Sequence, residues 1–221
     1  MRLTLDTRDG NLITGDMCRS MARLLREPPR GAHVLVLSGV GGSFCLGRER
    51  KASATAELGA EVAGLIGLNE ALVESNLVTL ARVNGPAAGF GAGLAALCDV
   101  AVAVRSAGFS FPEVTIELAP TIVLAWLQKA VGRRRAFQLT ATGKIVAGDD
   151  LVELGLVNEI VDNLPALDEA VERWLGDLTG RSPRVHADIK AMLRDSEHMS
   201  SRQAYALSAG RLVVGTLLRG A

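Results

Sequence analysis

The chain has 221 residues, of which 48% are hydrophobic, enough to bury one substantial core, and its 24 basic and 24 acidic side chains cancel. With no net charge there is no overall field to draw in nucleic acid or an anionic membrane, so small-molecule or protein partners are expected. Cys18, Cys45 and Cys98 are odd in number, widely spaced and lack metal-ligand spacing, which predicts free thiols in a reducing, cytoplasmic setting and no metal site.

The polar, charged first ten residues do not read as a secretory leader. Residues 2–5 read as a strand, and Thr14 or Asp16 can cap a helix running to about Arg26, with Met17, Met21, Leu24 and Leu25 on one face. The apolar run 33–37 predicts a strand buried on both faces, opening into a loop over 39–51. Helical spacing returns over 56–75 through Leu58, Val62, Leu65, Leu68 and Leu72, and strand character over 77–83. A third strand is predicted at 100–104. Strands alternating with crossover helices predict an α/β fold with a mostly parallel sheet. Ligands in such folds sit beyond the carboxyl ends of the strands, where the loops from Ser38 and Asn84 both begin. The apolar run 87–104 is interrupted by Gly89, Gly91, Gly93 and Asp99, which argues against a membrane span. Helices are predicted at 120–131, 133–141 and 147–154, a strand at 157–161, and helices from 164 onward. The expected organisation is a core domain over 1–162 followed by a helical region over 163–221.

Residues 83–120 carry the most chemistry. An Asn84-Gly85 turn leads through a glycine-rich passage into an alanine-rich helix, a strand follows, and then Phe111-Pro112-Glu113 in a predicted loop. A glycine-rich turn opening a helix leaves backbone N–H groups free, and a nearby carboxylate adds a proton acceptor. This combination suits proton transfer beside a polarised carbonyl.

Three segments in order, Gly41-Gly42-Ser43-Phe44-Cys45-Leu46-Gly47-Arg48-Glu49, Val83-Asn84-Gly85-Pro86-Ala87-Ala88-Gly89-Phe90-Gly91-Ala92-Gly93-Leu94 and Phe109-Ser110-Phe111-Pro112-Glu113-Val114, resemble the signature of the crotonase superfamily, the enoyl-CoA hydratase/isomerase family. The likeness continues through Gly132-Arg133 and Gly155-Leu156-Val157-Asn158-Glu159. It implies a crotonase-like fold of repeated ββα units whose C-terminal helices form trimers or dimers of trimers. It also implies an acyl-CoA substrate or an acyl-carrier-protein thioester, with no cofactor beyond the coenzyme A of the substrate. By the same resemblance the oxyanion hole falls on the main-chain N–H groups of Arg48 and Phe90. The acid/base glutamate falls on Glu113, and Cys45, Leu46, Gly47, Gly89, Gly91 and Gly93 line the substrate.

Two departures bear on the reaction. Hydratases of the family often carry a second catalytic glutamate where this chain has Gly93, and 118–123 lacks the family's glycine-rich stretch, instead resembling methylglutaconyl-CoA hydratases and polyketide β-branching dehydratases. One carboxylate still supports hydration, dehydration or a double-bond shift. A fold that kept binding and lost catalysis is the alternative. Glu117 would lie about 13 Å from Glu113 in an extended segment, so only a turn brings the two together. Asp99 reads as a strand tether. Arg48, Arg50 and Lys51, or Arg133, Arg134 and Arg135, are candidate phosphate contacts. Cys45 reads as a packed apolar residue, and the glycine spacing is not a dinucleotide fingerprint. His33, His186 and His198 offer no evident serine-hydrolase assembly.

Overall fold

The computed structural model describes residues 1–219. The first half of the chain alternates strands with helices: β1 (Arg2–Leu5), an irregular turn α1 (Arg8–Asn11), α2 (Gly15–Arg26), β2 (Val34–Gly39), α3 (Thr55–Glu74) and β3 (Val78–Val83). Then come β4 (Ala87–Ala88), α4 (Phe90–Ala96), β5 (Val100–Val104), β6 (Gly108–Ser110) and a 3-10 turn at Pro112–Ile116. The remainder is α5 (Thr121–Val131), α6 (Arg133–Thr142), β7 (Val146–Ala147), α7 (Asp149–Glu153), β8 (Glu159–Val161), α8 (Leu164–Thr179), α9 (Pro183–Ser196) and α10 (Ser201–Leu217).

Five strands form one sheet in the order β1-β2-β3-β5-β8, every neighbouring pair parallel. Val34 to Leu37 and all of β5 are buried, as a sheet covered on both faces requires. A second, small sheet runs β4-β6-β7, with Ala87 opposite Phe109 and Ala88 opposite Ser110. The Thr14 hydroxyl caps α2 by accepting from Met17 N–H at 3.2 Å, and Cys18, Met21, Ala22 and Leu25 of that helix are buried. α3 packs along α2 with Leu65, Leu68, Ala71 and Leu72 buried.

Past residue 162, α8 packs across β2, β3, β5 and β8 through Leu167, Ala170 and Val171. α9 lies on α3, and α10 lies on α9, with Tyr205, Leu212 and Leu217 at least 73% exposed. The helix predicted at 147–154 is shorter, because Val146 and Ala147 pair with β6 before the chain turns into α7. The strand predicted at 157–161 begins at Glu159. Ahead of it, Asn158 bonds Ala101 through both its main-chain N–H and its side chain, each at 2.8 Å. Among the described residues no helix is long and apolar enough to cross a membrane.

Asp99 is the strand tether its position suggests. Its Oδ2 accepts from Thr79 N–H at 2.7 Å, Thr79 Oγ1 at 2.9 Å and Lys190 Nζ at 2.6 Å, joining β3, the start of β5 and α9. The Lys190 side chain is only 10% exposed. Asp99→Ala therefore strands a nearly buried ammonium and is expected to cost about 2–3 kcal/mol. The urea midpoint would fall with the slope unchanged, whereas an unmoved midpoint would refute the tether.

Candidate active site

The loop after β2 and the turn after β3 are stitched together at the carboxyl end of the sheet. The buried Asn84 side chain accepts from Gly39 N–H at 3.0 Å and donates to Gly41 O at 2.9 Å and Ser43 O at 3.2 Å. Beyond it the two segments run side by side, with Phe44 N–H donating to Pro86 O at 3.0 Å and Ala88 N–H donating to Cys45 O at 2.9 Å, a parallel pairing of Cys45 with Ala87. Just beyond that pairing both segments reach the same cleft, the first at Arg48 and the second at Phe90. On its other side the first segment is tied to residues before α2, since Ile13 N–H donates to Gly47 O and Glu49 N–H to Ile13 O.

Arg48 and Phe90 each follow a glycine of positive φ, Gly47 at 121° and Gly89 at 52°; the Ile13 pairing uses Gly47 O and Glu49 N–H, which leaves the Arg48 N–H outside that ladder. Among the described residues neither the Arg48 nor the Phe90 N–H donates to another group. Phe90 opens α4, where an unpaired N–H is intrinsic to the helix end.

Glu113 arrives by a different route. Gly89 N–H donates to Ser110 O at 2.9 Å, continuing the β4–β6 pairing, and the chain then turns at Pro112 into the 3-10 turn. A Cβ built on Gly89 would lie 2.6 Å from Glu113 Oε1, so the carboxylate sits against the glycine that precedes one candidate donor. Glu113 Oε2 is buried and without a hydrogen-bond partner. The predicted loop is thus a tight turn, and that turn also bends Glu117 round. Glu117 nevertheless ends exposed, in the left-handed region at φ 59°, off the cleft.

These groups border one cleft of about 540 Å³. Leu46, Gly47, Arg48, Gly89, Phe90 and Glu113, to which the resemblance assigns roles, line it. Cys45, Gly91 and Gly93, read as substrate contacts, lie behind the wall instead. Cys45 is fully buried with its thiol donating to Gly47 O at 3.3 Å, and burial pushes that thiol up to about 11, so it is held protonated. Gly91 is pressed against the Cys45 carbonyl, where a Cβ would come within 2.1 Å of the oxygen, and a Cβ on Gly93 would lie 3.4 Å from the Trp126 ring. The apolar wall comes from Leu12, from Val62 and Leu65 of α3, and from Leu118, Ile122 and Val123. Neither residues 52–57 nor the C-terminal helices contribute. Of the candidate phosphate contacts, Arg50 borders the cleft, whereas Lys51 pairs with Glu49 at 2.7 Å and Arg133, Arg134 and Arg135 lie away from it. His33 Nε2 meets His186 Nδ1 at 2.9 Å and His198 meets Lys129 at 3.3 Å; none borders the cleft.

The profile of the enoyl-CoA hydratase/isomerase family matches residues 2–213. The chain belongs to the enoyl-CoA hydratase/isomerase family. An enoyl-CoA hydratase of Alternaria alternata is 28% identical over 194 residues, covering 87% of this chain and 65% of the relative. The human mitochondrial enoyl-CoA hydratase domain-containing protein 2 is 34% identical over 168 residues, covering 74% of this chain and 57% of that protein. The chain thus spans less than two thirds of the length of several curated relatives it matches. The crystal structure of a Mycobacterium smegmatis enoyl-CoA hydratase superposes with a TM-score of 0.91 at 27% identity, covering 98% of this chain and 87% of the other. In this member of the family the α/β architecture matches its solved relatives over nearly the whole chain.

One residue beside the cleft escaped the sequence reading. Glu61 of α3 pairs with the Arg48 guanidinium, the two side chains 15% and 22% exposed. No local pattern marks it, because its significance comes from a partner thirteen positions earlier across a loop.

Proposed function

We propose that this hydratase/isomerase family member acts on an acyl thioester of coenzyme A, adding water to an enoyl group or removing it from the hydroxyacyl product. The thioester oxygen is held by the Arg48 and Phe90 N–H groups, and Glu113 moves the protons. The observation that carries this reading is the Glu113 carboxylate seated against Gly89, one residue before a free N–H bordering the same cleft.

Taking a proton from the carbon next to a thioester leaves an enolate whose charge collects on one oxygen. Two fixed donors stabilise it without reorganisation, and loss of one such donor typically costs about 3 kcal/mol. Since the donors are main-chain groups, Arg and Phe are compatible with the role. Glu113 is the one carboxylate lining the cleft among the described residues. It therefore both removes and returns protons. In a syn elimination it takes the α-proton and hands a proton to the departing β-hydroxyl; hydration is the reverse.

Double-bond isomerisation is the second reading, favoured by that same solitary carboxylate, which can carry one proton between C2 and C4. The apolar wall suits a hydrocarbon acyl chain, and Arg50 supplies a cation for a phosphate of coenzyme A or of an acyl carrier protein's phosphopantetheine. No further cofactor enters this scheme. The exposed apolar side chains of α9 and α10, Leu193, Leu212 and Leu217 among them, support a trimer or a dimer of trimers. The three free cysteines support a cytoplasmic setting.

The test offers the protein short 2-enoyl-CoA and 3-enoyl-CoA substrates, following loss of the conjugated thioester and deuterium uptake from heavy water. Hydration of the 2-enoyl substrate is expected. Double-bond migration alone would replace hydration with isomerisation. Binding of coenzyme A with neither reaction and no α-proton exchange would leave a binding protein.

A further inference from the structure

Glu113 presents a buried carboxylate oxygen with no partner, and the nearest cations bordering its cleft are Arg48 and Arg50. An unpaired carboxylate near a mobile guanidinium ordinarily forms a bidentate ion pair, which would bind up the oxygen a base needs. Here the Arg48 guanidinium is paired instead with Glu61 of α3. Val62 and Leu65 border the cleft from the same helix, so α3 is the wall against which the arginine is held.

We infer that Glu61 is a positioning residue that holds the Arg48 side chain off Glu113 and so keeps that carboxylate free to work as a base. The inference rests on the reading of Glu113 as the acid/base. It accounts for an ion pair that stability alone does not demand, because a largely buried pair gains little over apolar packing. Burial, together with the repulsion of Arg50, holds the Arg48 guanidinium below its ordinary pKa, and the charge of Glu113 opposes that shift, so the cation is within electrostatic reach of the carboxylate. The same pair anchors a residue whose main chain is a candidate oxyanion donor, with the Ile13 ladder holding it from the opposite side.

The charges around Glu113 are few. The loop after β2 brings Arg48 and Arg50, and α3 brings Glu61 behind Arg48. Glu117 on the 3-10 turn is exposed and off the cleft. α4 and residues 118–123 carry no charge, and α6, which packs under the turn, has its charges at the exposed Arg133, Arg134 and Arg135, with Lys144 just beyond its end.

The test compares wild type, Glu61→Gln, Arg48→Met and the double variant for kcat, KM and the pH profile on a short enoyl-CoA. Glu61→Gln frees the guanidinium to capture Glu113. It is expected to lower kcat at least about tenfold with KM within about twofold, and to move the acidic limb of kcat to lower pH, since a carboxylate paired with a cation keeps its charge further into acid. Adding Arg48→Met removes the captor, so the double variant is expected to recover activity over Glu61→Gln and to return the limb. A pair that served only to brace the fold would leave the double variant as impaired as the single one, and that result would overturn the inference. So would Glu61→Gln with wild-type kcat and an unmoved limb. Should Glu61→Gln not fold, Glu61→Asp, which loosens the pair while keeping the charge, must still lower kcat and shift the limb in the same direction; wild-type behaviour there counts against the inference. Glu113→Gln run alongside separates the two ideas. If it stays active the acid/base reading falls, and if it is dead while the double variant gains nothing, only the role of Glu61 falls.

Discussion

Glu113→Gln is expected to lower kcat by about a thousandfold while leaving affinity for a coenzyme A thioester within a fewfold of wild type. The side chains are nearly isosteric, so the amide occupies the same place against Gly89 and the cleft keeps its shape. What is lost is the ability to take a proton. No other carboxylate among the described residues lines the cleft, and Glu117, four positions on, is exposed on the far side of its turn. Turnover with a short enoyl-CoA, paired with calorimetric titration of a non-reactive thioester, reads both quantities. A variant within tenfold of wild-type kcat would mean that protons travel by another group.

Gly89→Ala is the second large effect, and it needs no change of charge. Residue 89 sits at φ 52°, ψ −120°, a conformation close to forbidden for an L side chain, and a Cβ there would come within 2.6 Å of Glu113 Oε1. Relief requires either pushing the carboxylate away or rotating the peptide that presents the Phe90 N–H. Each route damages one arm of the proposed chemistry, and together they are expected to cost about 10²–10³ in kcat/KM, with about 1–3 kcal/mol of stability. Gly59→Ala makes the control, because it lies in α3 with open space where the methyl would go and should leave activity alone while stabilising the helix slightly. Equal effects from both substitutions would refute the geometric argument.

Much of this was legible in the sequence, for identifiable reasons. β2, β3 and β5 are runs of five or six residues dominated by buried apolar side chains, and α2 and α3 carry long helical periodicity; signals of that length survive without tertiary information. β4, β6 and β7 are two or three residues each, too short for any period to register, yet they bring Ser110 beside Gly89 and so deliver Glu113. The oxyanion segments were readable because the glycines that shape them are local. The cleft wall was not: Val62 and Leu65 look like any buried helix face, and Leu118, Ile122 and Val123 become a wall only once the turn at 112–116 folds them over the site. Cys45, Gly91 and Gly93 share the motif with true lining residues and differ only in which side of the backbone they occupy.

The stitching between the two loops has a consequence for how such a site can diversify. The relative position of residues 48 and 90 is set mainly by bonds between peptide groups and by the Asn84 and Asn11 side chains, so the apolar side chains facing the cleft are spectators to that alignment. The selectivity surface at 118–123 and on α3 can then drift, exchange volume or accept new polar groups while the alignment persists. Libraries confined to those wall positions should yield altered acyl preference with the underlying turnover machinery inherited unchanged.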